Sequence, residues 1–483
     1  MTTLTLALAL SFAAAADRPN VLLIMSDDHA AAHVGCYGND DIKTPNLDRL
    51  AEEGLRFERF YVACPQCVPS RASYMTGRSP VGIAMTRFSA ALPREVVTFP
   101  EVLRSSGYYT GICGRTFHLD GGRQPEATAR VFAEHNLRTF KDRIDWLPEP
   151  AGDPAAVPGL MKEFFEAVPD DKPFFLQVGF SDPHRPFTAG TGKTPPEDLA
   201  LPPHFPDTPA LRKDFSQYYA EVERLDGNVG KVLKLLDEAG HADDTLVIFV
   251  GDNGCALLRG KGTLYELGVR VPCLVRWPGV VKAGGVASEI ASGEDLAPSI
   301  LEACAADVPE SMTGRSFAKR LRGEPYEARK HAFAERGAHG SGLPTNTATF
   351  DLGRTVIGER YKLIYNALPK LPFHPVDFSG NDFWKEIVAR HEAGDLQPGF
   401  ERLYFPPERP MFELYDLEAD PHELANLAGK PSTASIERDL KAALQEWMIL
   451  ERDFLPLPIP PASRNNRRRG GPPAAPPVRS QSN

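Results

Sequence analysis

Four short apolar runs, separated by stretches with helical periodicity, constrain the fold of this chain more than any other feature. The runs lie at 20–25, 108–113, 173–180 and 245–250 and have the length and composition of buried strands. The longest helical pattern, at 214–239, places an apolar residue on one face at nearly every turn. Strands that alternate with helices are typical of an α/β fold, so we predict a large, mostly parallel sheet flanked by helices.

Changes in composition divide the chain into four segments. The apolar start, which ends in small residues, predicts a signal peptide at 1–16 and therefore a secreted or periplasmic protein. The alternating pattern predicts one large domain at 17–344, and shorter strand and helix patterns predict a smaller α+β domain at 345–457. Residues 458–483 are rich in Pro, Gly and Arg, so we expect a disordered tail.

The charge and the cysteine content argue against several classes of protein. A net charge of −10 argues against a general nucleic-acid binder, so an anionic substrate would need a locally basic pocket. No apolar stretch after residue 16 is long enough to predict a membrane span. The seven cysteines are scattered, which argues against a disulfide scaffold. The oligomeric state stays open, with a homodimer as one alternative.

Each predicted strand runs directly into polar or charged residues. Such residues often belong to turns or helix caps, but ligands of open α/β sheets bind beyond the carboxyl ends of the strands. The residues in these positions are Asp27, Asp28, Arg115, His118, His184, Arg185, Asp252, Asn253 and, slightly further on, Lys261. Because turns alone hardly explain four such clusters, we predict that these side chains share one functional site.

The acidic residues in these positions form a set of oxygen ligands. Asp27, Asp28 and Asp252 provide carboxylates, and Asn253 adds an amide oxygen. Hard cations such as Ca²⁺ and Mg²⁺ prefer these ligands, whereas a zinc site would normally include cysteine or histidine. The set therefore predicts a site for a hard cation, which would neutralise the charge of an anionic substrate.

The segment 67–78 predicts a helix that begins near a cysteine. Pro69 fits the first helical turn, and Gly77 fits the C-terminal cap. Cys67 would then lie at a helix N-terminus, where free N–H groups favour an anion, and Arg71 would lie on the same face. This arrangement suits a sulfate or phosphate group. A purely structural cysteine and a redox pair with Cys64 are the alternatives.

Several motifs resemble those of the sulfatase family. They include C-x-P-S-R at 67–71, N-V-L-L-I-M-S-D-D at 20–28, D-P-H-R-P-F at 182–187, D-N-G at 252–254 and K-G-T-L-Y-E-L-G-V-R-V-P at 261–272. The resemblance implies an alkaline-phosphatase-like fold. It also implies that a formylglycine-generating enzyme converts Cys67 to formylglycine. The Ca²⁺ ligands that it implies are residue 67, Asp27, Asp28, Asp252 and Asn253.

The resemblance also implies roles for the other polar residues. The hydrated aldehyde at position 67 would attack sulfur, and its second hydroxyl would later expel sulfate. The implied catalytic residues are Cys67, Arg71, His118 and His184, and the implied substrate-binding residues are Arg115, Lys261 and Arg185. Arg115 stands where the family pattern has lysine, and the spacing Arg115-x-x-His118 resembles the iduronate sulfatase variant of that motif. A planar guanidinium therefore replaces a point charge at this position.

Looser similarities bear on the substrate, which we expect to be a sulfated saccharide. D-P-H-R at 182–185, P-D-T-P-A-L-R-K-D at 206–214 and the segment from residue 360 into the C-terminal helix resemble N-sulfoglucosamine sulfohydrolases (sulfamidases). These similarities favour a glycosaminoglycan N-sulfatase. One alternative is a glycan O-sulfatase of the iduronate-2-sulfatase or arylsulfatase type. Others are a formylglycine-dependent phosphonate or phosphate ester hydrolase, and an inactive polyanion-binding protein with unmodified Cys67.

Overall fold

The computed structural model describes residues 18–86, 92–93, 95–115, 130–131, 133–135, 140–148, 154–339, 345–455 and 457. The predicted signal peptide at 1–16, the predicted tail at 458–483 and the candidate residue His118 lie outside the described residues. Among the described helices, none combines the length and the apolar content that crossing a bilayer requires.

Seven strands form the larger sheet. They are β1 (Asn20–Ser26), β2 (Leu55–Tyr61), β3 (Tyr109–Gly114), β4 (Phe174–Gly179), β5 (Thr245–Gly251), β6 (Cys273–Arg276) and β7 (Gly285–Ser292). Their order is β3-β4-β1-β5-β6-β2-β7, and of these strands only β6 runs antiparallel to its neighbours. Every residue of β1 and β5 is buried, as expected for central strands of a sheet that is covered on both faces. The prediction of a mostly parallel sheet is therefore confirmed.

Helices cover both faces of this sheet. The α-helices with described bounds are α1 (Pro45–Glu52), α2 (Cys67–Thr76), α3 (Phe99–Ser105), α4 (Val157–Ala167), α5 (Pro209–Glu238), α6 (Glu266–Val269), α7 (Leu296–Ala303), α8 (Ala318–Leu321), α9 (Asp382–Glu392), α10 (Pro398–Tyr404) and α11 (Ala434–Leu450). Successive residues of a strand point to opposite faces. Leu22 and Ile24 of β1 therefore pack with α4 and α5, whereas Leu23 packs on the side of α2, α3 and α7.

A smaller antiparallel sheet follows in the chain. Its strands are β8 (Ala332–Ala338), β9 (Phe350–Ile357), β10 (Tyr361–Asn366) and β11 (Phe412–Asp416), in the order β11-β10-β9-β8. Leu444 and Trp447 of α11 pack against this sheet, which gives the expected smaller α+β region. β8 lies before the predicted boundary at 344/345, so this sheet begins on the N-terminal side of that boundary. Phe333 is the one large apolar residue of β8, so composition gave little sign of a strand there.

Candidate active site

The carboxyl ends of neighbouring strands bring the predicted residues to one edge of the large sheet. The last residues of β1 and β5 pair in register, so Asp27 and Asp252 leave the sheet side by side. β4 and β3 lie on the other side of β1, and the segments that follow them carry His184 and Arg115. The topology thus collects residues from four distant parts of the chain at one place, as ligand sites of open α/β sheets require.

Three carboxylates and one thiol meet in a buried cluster. Ligand atoms of Asp27, Asp28, Cys67 and Asp252 all lie within 4.8 Å of one another, and each of these residues is at most 1% exposed. Asp28 has a left-handed backbone conformation (φ 63°), which is uncommon for a residue other than glycine. Its backbone N–H donates a hydrogen bond to Asp252 Oδ1 at 3.0 Å. The fold therefore holds these acidic groups together despite their mutual repulsion.

The carboxylate cluster has the chemistry of a site for a hard divalent cation. Burial and the nearby Asp27 carboxylate raise the pKa of Asp252 to about 7, which indicates crowded negative charge. Asn253 Nδ2 donates a hydrogen bond to Asp28 Oδ1 at 2.8 Å, but the buried Asn253 Oδ1 accepts none from any described residue. A cation would satisfy this oxygen and offset the repulsion between the carboxylates. The donor set therefore fits Ca²⁺ or Mg²⁺.

Cys67 is the first residue of α2, as predicted. Gly77 ends this helix in a left-handed conformation (φ 62°), and its N–H donates to Ser73 O at 2.9 Å. Cys67 Sγ lies 3.5 Å from Asp27 Oδ1, and burial beside this carboxylate raises the pKa of the thiol well above its ordinary value. Burial raises the pKa of the Cys64 thiol in the same way. An unmodified Cys67 would therefore be a neutral thiol and a weak nucleophile.

Arg71 lies one helical turn after Cys67 and holds two of the carboxylates. Its Nε lies 2.9 Å from Asp252 Oδ2, and its Nη2 lies 3.0 Å from Asp27 Oδ2. Burial by itself would lower the pKa of this guanidinium, but the two carboxylates raise it above its ordinary value. Arg71 therefore stays charged and keeps the ligand set in place beside Cys67.

Lys261 and Arg115 bring two further positive charges to the carboxylate cluster. Lys261 Nζ lies 2.9 Å from Asp28 Oδ1 and 2.7 Å from Asp377 Oδ2. Burial opposes the charged form of this lysine, but the carboxylates, with Asp28 foremost, raise its pKa well above the ordinary value. Arg115 Nε lies 2.5 Å from Asp27 Oδ2. The structure therefore brings two of the three predicted substrate-binding cations directly to the carboxylate cluster.

His184 and Arg185 line an open cavity of about 400 Å³ beside the carboxylate cluster, here called the mouth cavity. His184 Nε2 lies 3.8 Å from Asp28 Oδ2, and its Nδ1 hydrogen-bonds to the backbone carbonyl of Arg185. Both terminal nitrogens of Arg185 donate to the carboxylate of Asp214, which also lines the mouth cavity. The structure therefore brings His184 to the cluster and ties Arg185 to a carboxylate. A role of Arg185 in substrate binding stays a prediction.

Asp377 and His339 are members of the site that the sequence analysis missed. Asp377 lies between β10 and α9 and contacts Lys261, and His339 follows β8 directly. His339 Nε2 lies 3.5 Å from Asp377 Oδ1, and Nδ1 lies 2.8 Å from Nε2 of Gln66, the residue before Cys67. Neither residue follows a strand of the large sheet. The only local sequence signal for Asp377 was its position as a single acidic residue between two apolar residues.

The charged groups of the described residues do not balance at the site. With Asp377 included, four carboxylates face three cations in the described residues. The site is thus slightly negative by itself, and a divalent cation would make it positive. A positive, mostly buried site can hold an anion such as a sulfate group.

Two family models match the chain. The model described as "Sulfatase" matches residues 19–306, which is more than half of the chain and includes Cys67. The model described as "N-sulphoglucosamine sulphohydrolase, C-terminal" matches residues 258–367, which include Lys261 and three strands of the smaller sheet. The matched regions together contain most of the candidate site.

Individual proteins are similar along most of the chain. N-sulphoglucosamine sulphohydrolase of Homo sapiens is 31% identical over 476 residues, covering 89% of each chain. Arylsulfatase A of Homo sapiens is 32% identical over 387 residues, which cover 68% of this chain and 73% of the relative. A solved structure in complex with its substrate D-glucosamine-2-N,6-O-disulfate has a TM-score of 0.66 at 21% identity, covering 91% of this chain and 99% of that one. This last similarity bears on the fold, and it confirms the predicted alkaline-phosphatase-like architecture.

Proposed function

The chain belongs to the sulfatase family and hydrolyses sulfate esters or sulfamates, and we propose that its preferred substrate is an N-sulfated glucosamine unit of a glycan. The match of residues 258–367 to the C-terminal model for N-sulphoglucosamine sulphohydrolase carries this proposal. The human relative of that name, at 31% identity over most of both chains, supports it. Hydrolysis of a sulfamate consumes one water and yields sulfate and an amine, which takes up a proton.

We propose that a formylglycine-generating enzyme converts Cys67 to formylglycine. The buried position at the start of α2 supports this proposal, because the unmodified thiol has a raised pKa and would be a weak nucleophile there. Once formed, the hydrated aldehyde supplies one hydroxyl group to attack sulfur and another to release sulfate.

The residues around position 67 would hold the sulfate group. Lys261 and Arg115 bring fixed positive charge to the site, and such charge is most effective where water is excluded. Arg71, one turn along α2, would stabilise negative charge at residue 67 while it keeps Asp27 and Asp252 in place. These three residues therefore orient the sulfur atom towards residue 67.

The residues of the mouth cavity would act on the leaving group. His184 Nε2 lies beside both the carboxylate cluster and the mouth cavity, so we propose that it gives a proton to the leaving nitrogen. Arg185 lines the same cavity and would contact the saccharide. From its place in the sequence, His118 is proposed as a second residue that binds sulfate or transfers a proton.

Ca²⁺ is the cation that we propose for the carboxylate cluster. Residue 67 would hold it together with Asp27, Asp28, Asp252 and Asn253, whose Oδ1 accepts no hydrogen bond from the described residues. When bound, the ion would neutralise the charge of the sulfate group and polarise a bound oxygen. We also propose that the protein is secreted or periplasmic, because its first 16 residues have the composition of a signal peptide.

Sulfate release from defined monosaccharides tests the proposed function. The wild-type protein should release sulfate faster from N-sulfoglucosamine than from glucosamine 6-O-sulfate, and Cys67→Ala should release none from either. Mass analysis of the peptide that contains Cys67 would show whether the modification has taken place. Release from the 6-O-sulfate alone would favour the O-sulfatase alternative, to which the 32% identity with arylsulfatase A points. Turnover of an aryl phosphonate without turnover of either sulfate would favour a phosphonate hydrolase.

A further inference from the structure

Among the described carboxylates that contact Lys261 or belong to the carboxylate cluster, Asp377 is the most accessible. Its side chain is 26% exposed and lines the mouth cavity, whereas Asp27, Asp28 and Asp252 are fully buried. Asp214, which lines the same cavity, already accepts hydrogen bonds from both terminal nitrogens of Arg185. A ligand that enters the mouth cavity would therefore meet the negative charge of Asp377.

The partners of Asp377 fix its position without using all of its acceptor sites. Oδ2 lies 2.7 Å from Lys261 Nζ and 3.7 Å from His184 Nε2. Oδ1 lies 3.5 Å from His339 Nε2. A carboxylate offers about four lone-pair positions on its two oxygens, so Asp377 can accept a further hydrogen bond from the cavity side. His184, which we propose to protonate the leaving nitrogen, lies close to Asp377. The unused acceptor position of Asp377 therefore lies where the leaving group of the substrate would lie.

The chemistry of the leaving group decides what such a carboxylate would favour. A sulfamate carries an N–H next to the sulfur, and its hydrolysis yields an amine that becomes a cation by taking up a proton. A sulfate ester carries an oxygen without hydrogen in that place, and its hydrolysis yields a neutral alcohol. A negative charge beside the leaving atom therefore attracts the first kind of substrate and product and offers nothing to the second.

We propose that Asp377 determines the preference for N-sulfated over O-sulfated sugars. Its carboxylate accepts a hydrogen bond from the N–H of the sulfamate and then pairs with the ammonium group of the released amino sugar. This inference rests on the proposed function, since it names the residue that gives that function its selectivity. Asp377 acts on the leaving group, whereas its ion-pair partner Lys261 holds the sulfate.

A merely structural role for Asp377 would be to position Lys261. The lysine keeps a second carboxylate, Asp28, at 2.9 Å, so the loss of Asp377 should leave it in place. Were Lys261 displaced, turnover of N-sulfated and O-sulfated substrates would fall together, because both need the sulfate to be held. A change in the ratio of the two rates therefore separates recognition of the leaving group from a structural role.

Asp377→Asn tests the proposal with little change in shape. We expect kcat/KM for N-sulfoglucosamine, divided by kcat/KM for glucosamine 6-O-sulfate, to fall about 10- to 100-fold, the range for a hydrogen bond to a charged group. Asp382→Asn is the matched control, because it removes the same charge from a nearby side chain that is 94% exposed. It should leave the ratio unchanged. An equal fall for both substrates in Asp377→Asn would overturn the proposal.

Product binding provides a second measurement that does not need turnover. By calorimetry at mildly acidic pH, the wild-type protein should bind glucosamine more tightly than N-acetylglucosamine, whose nitrogen carries no charge. Asp377→Asn should lose this preference, and retention of the preference would overturn the proposal. If the wild-type protein releases no sulfate from N-sulfoglucosamine, the proposed function fails, while the binding comparison still decides the role of Asp377.

Discussion

Replacing Arg71 with methionine tests whether ion pairs hold the carboxylate cluster together. The arginine side chain is 2% exposed, and its guanidinium lies 2.9 Å from Asp252 and 3.0 Å from Asp27. Methionine fills much of the same space but leaves both carboxylates buried without this partner. Removing one partner of a buried ion pair lowers the free energy of unfolding by about 3–5 kcal/mol. Because the whole free energy of unfolding of a typical protein is about 5–15 kcal/mol, Arg71→Met should fold but unfold at a clearly lower urea concentration than the wild type.

Urea titrations in calcium and in EDTA would measure the effect of Arg71→Met. We expect the full loss in EDTA and a smaller loss in calcium, because the bound cation would partner the same carboxylates. Arg143→Met is the matched control, since Arg143 is 1% exposed and its Nη1 lies 2.8 Å from Glu101 Oε2, outside the carboxylate cluster. Arg143→Met should lower the free energy of unfolding by the same amount in calcium and in EDTA. A loss below about 1 kcal/mol for Arg71→Met in EDTA, as small as for an exposed ion pair, would refute the reasoning.

Three further changes test other parts of the structure. Cys67→Ala should abolish sulfate release in the assay above and change the unfolding free energy by only about 1 kcal/mol, and retained turnover would contradict the formylglycine proposal. Arg115→Met should lower kcat about 10²–10³-fold, which is the cost of losing one fixed positive group. Arg115→Lys keeps the charge and should lower kcat less. An equal fall in kcat for the two variants would contradict a role of the charge. Burial raises the pKa of Glu335 from 4.5 to about 7, although Arg354 lies 3.6 Å away. The protonated Glu335 side chain therefore contributes to stability below pH 4.5, and this contribution is lost as the pH rises towards 7. Glu335→Gln should therefore be more stable than wild type at pH 8, by at most about 3 kcal/mol, and similar at pH 4.5; urea midpoints that differ equally at both values would contradict this.

Local sequence signals were sufficient for four of the seven strands of the large sheet (β1, β3, β4 and β5) and for the residues at its edge. The apolar runs that became β1 and β5 were recognisable because a strand buried on both faces needs apolar residues at nearly every position. Once the strands are parallel, the residues after them must share one edge, which is why Asp27 and Asp252 meet as predicted. The start of α2 at Cys67 was equally local, since Pro69 and Gly77 act within the helix that they delimit.

The sequence by itself therefore determined four strands of the large sheet, their parallel arrangement and the acidic edge beside Cys67, whereas β2, β6 and β7 were not predicted. Only the tertiary structure decided which further residues complete the site at that edge. Asp377 and His339 reach it from the region of the smaller sheet, and Asp214 binds Arg185 at the mouth cavity. Sequence reasoning also missed the start of the smaller sheet at β8, whose pairing with β9 depends on a partner across a loop. Periodicity and caps report on neighbours within a few residues. Contacts between distant loops depend instead on how whole layers pack, and no local pattern encodes that packing.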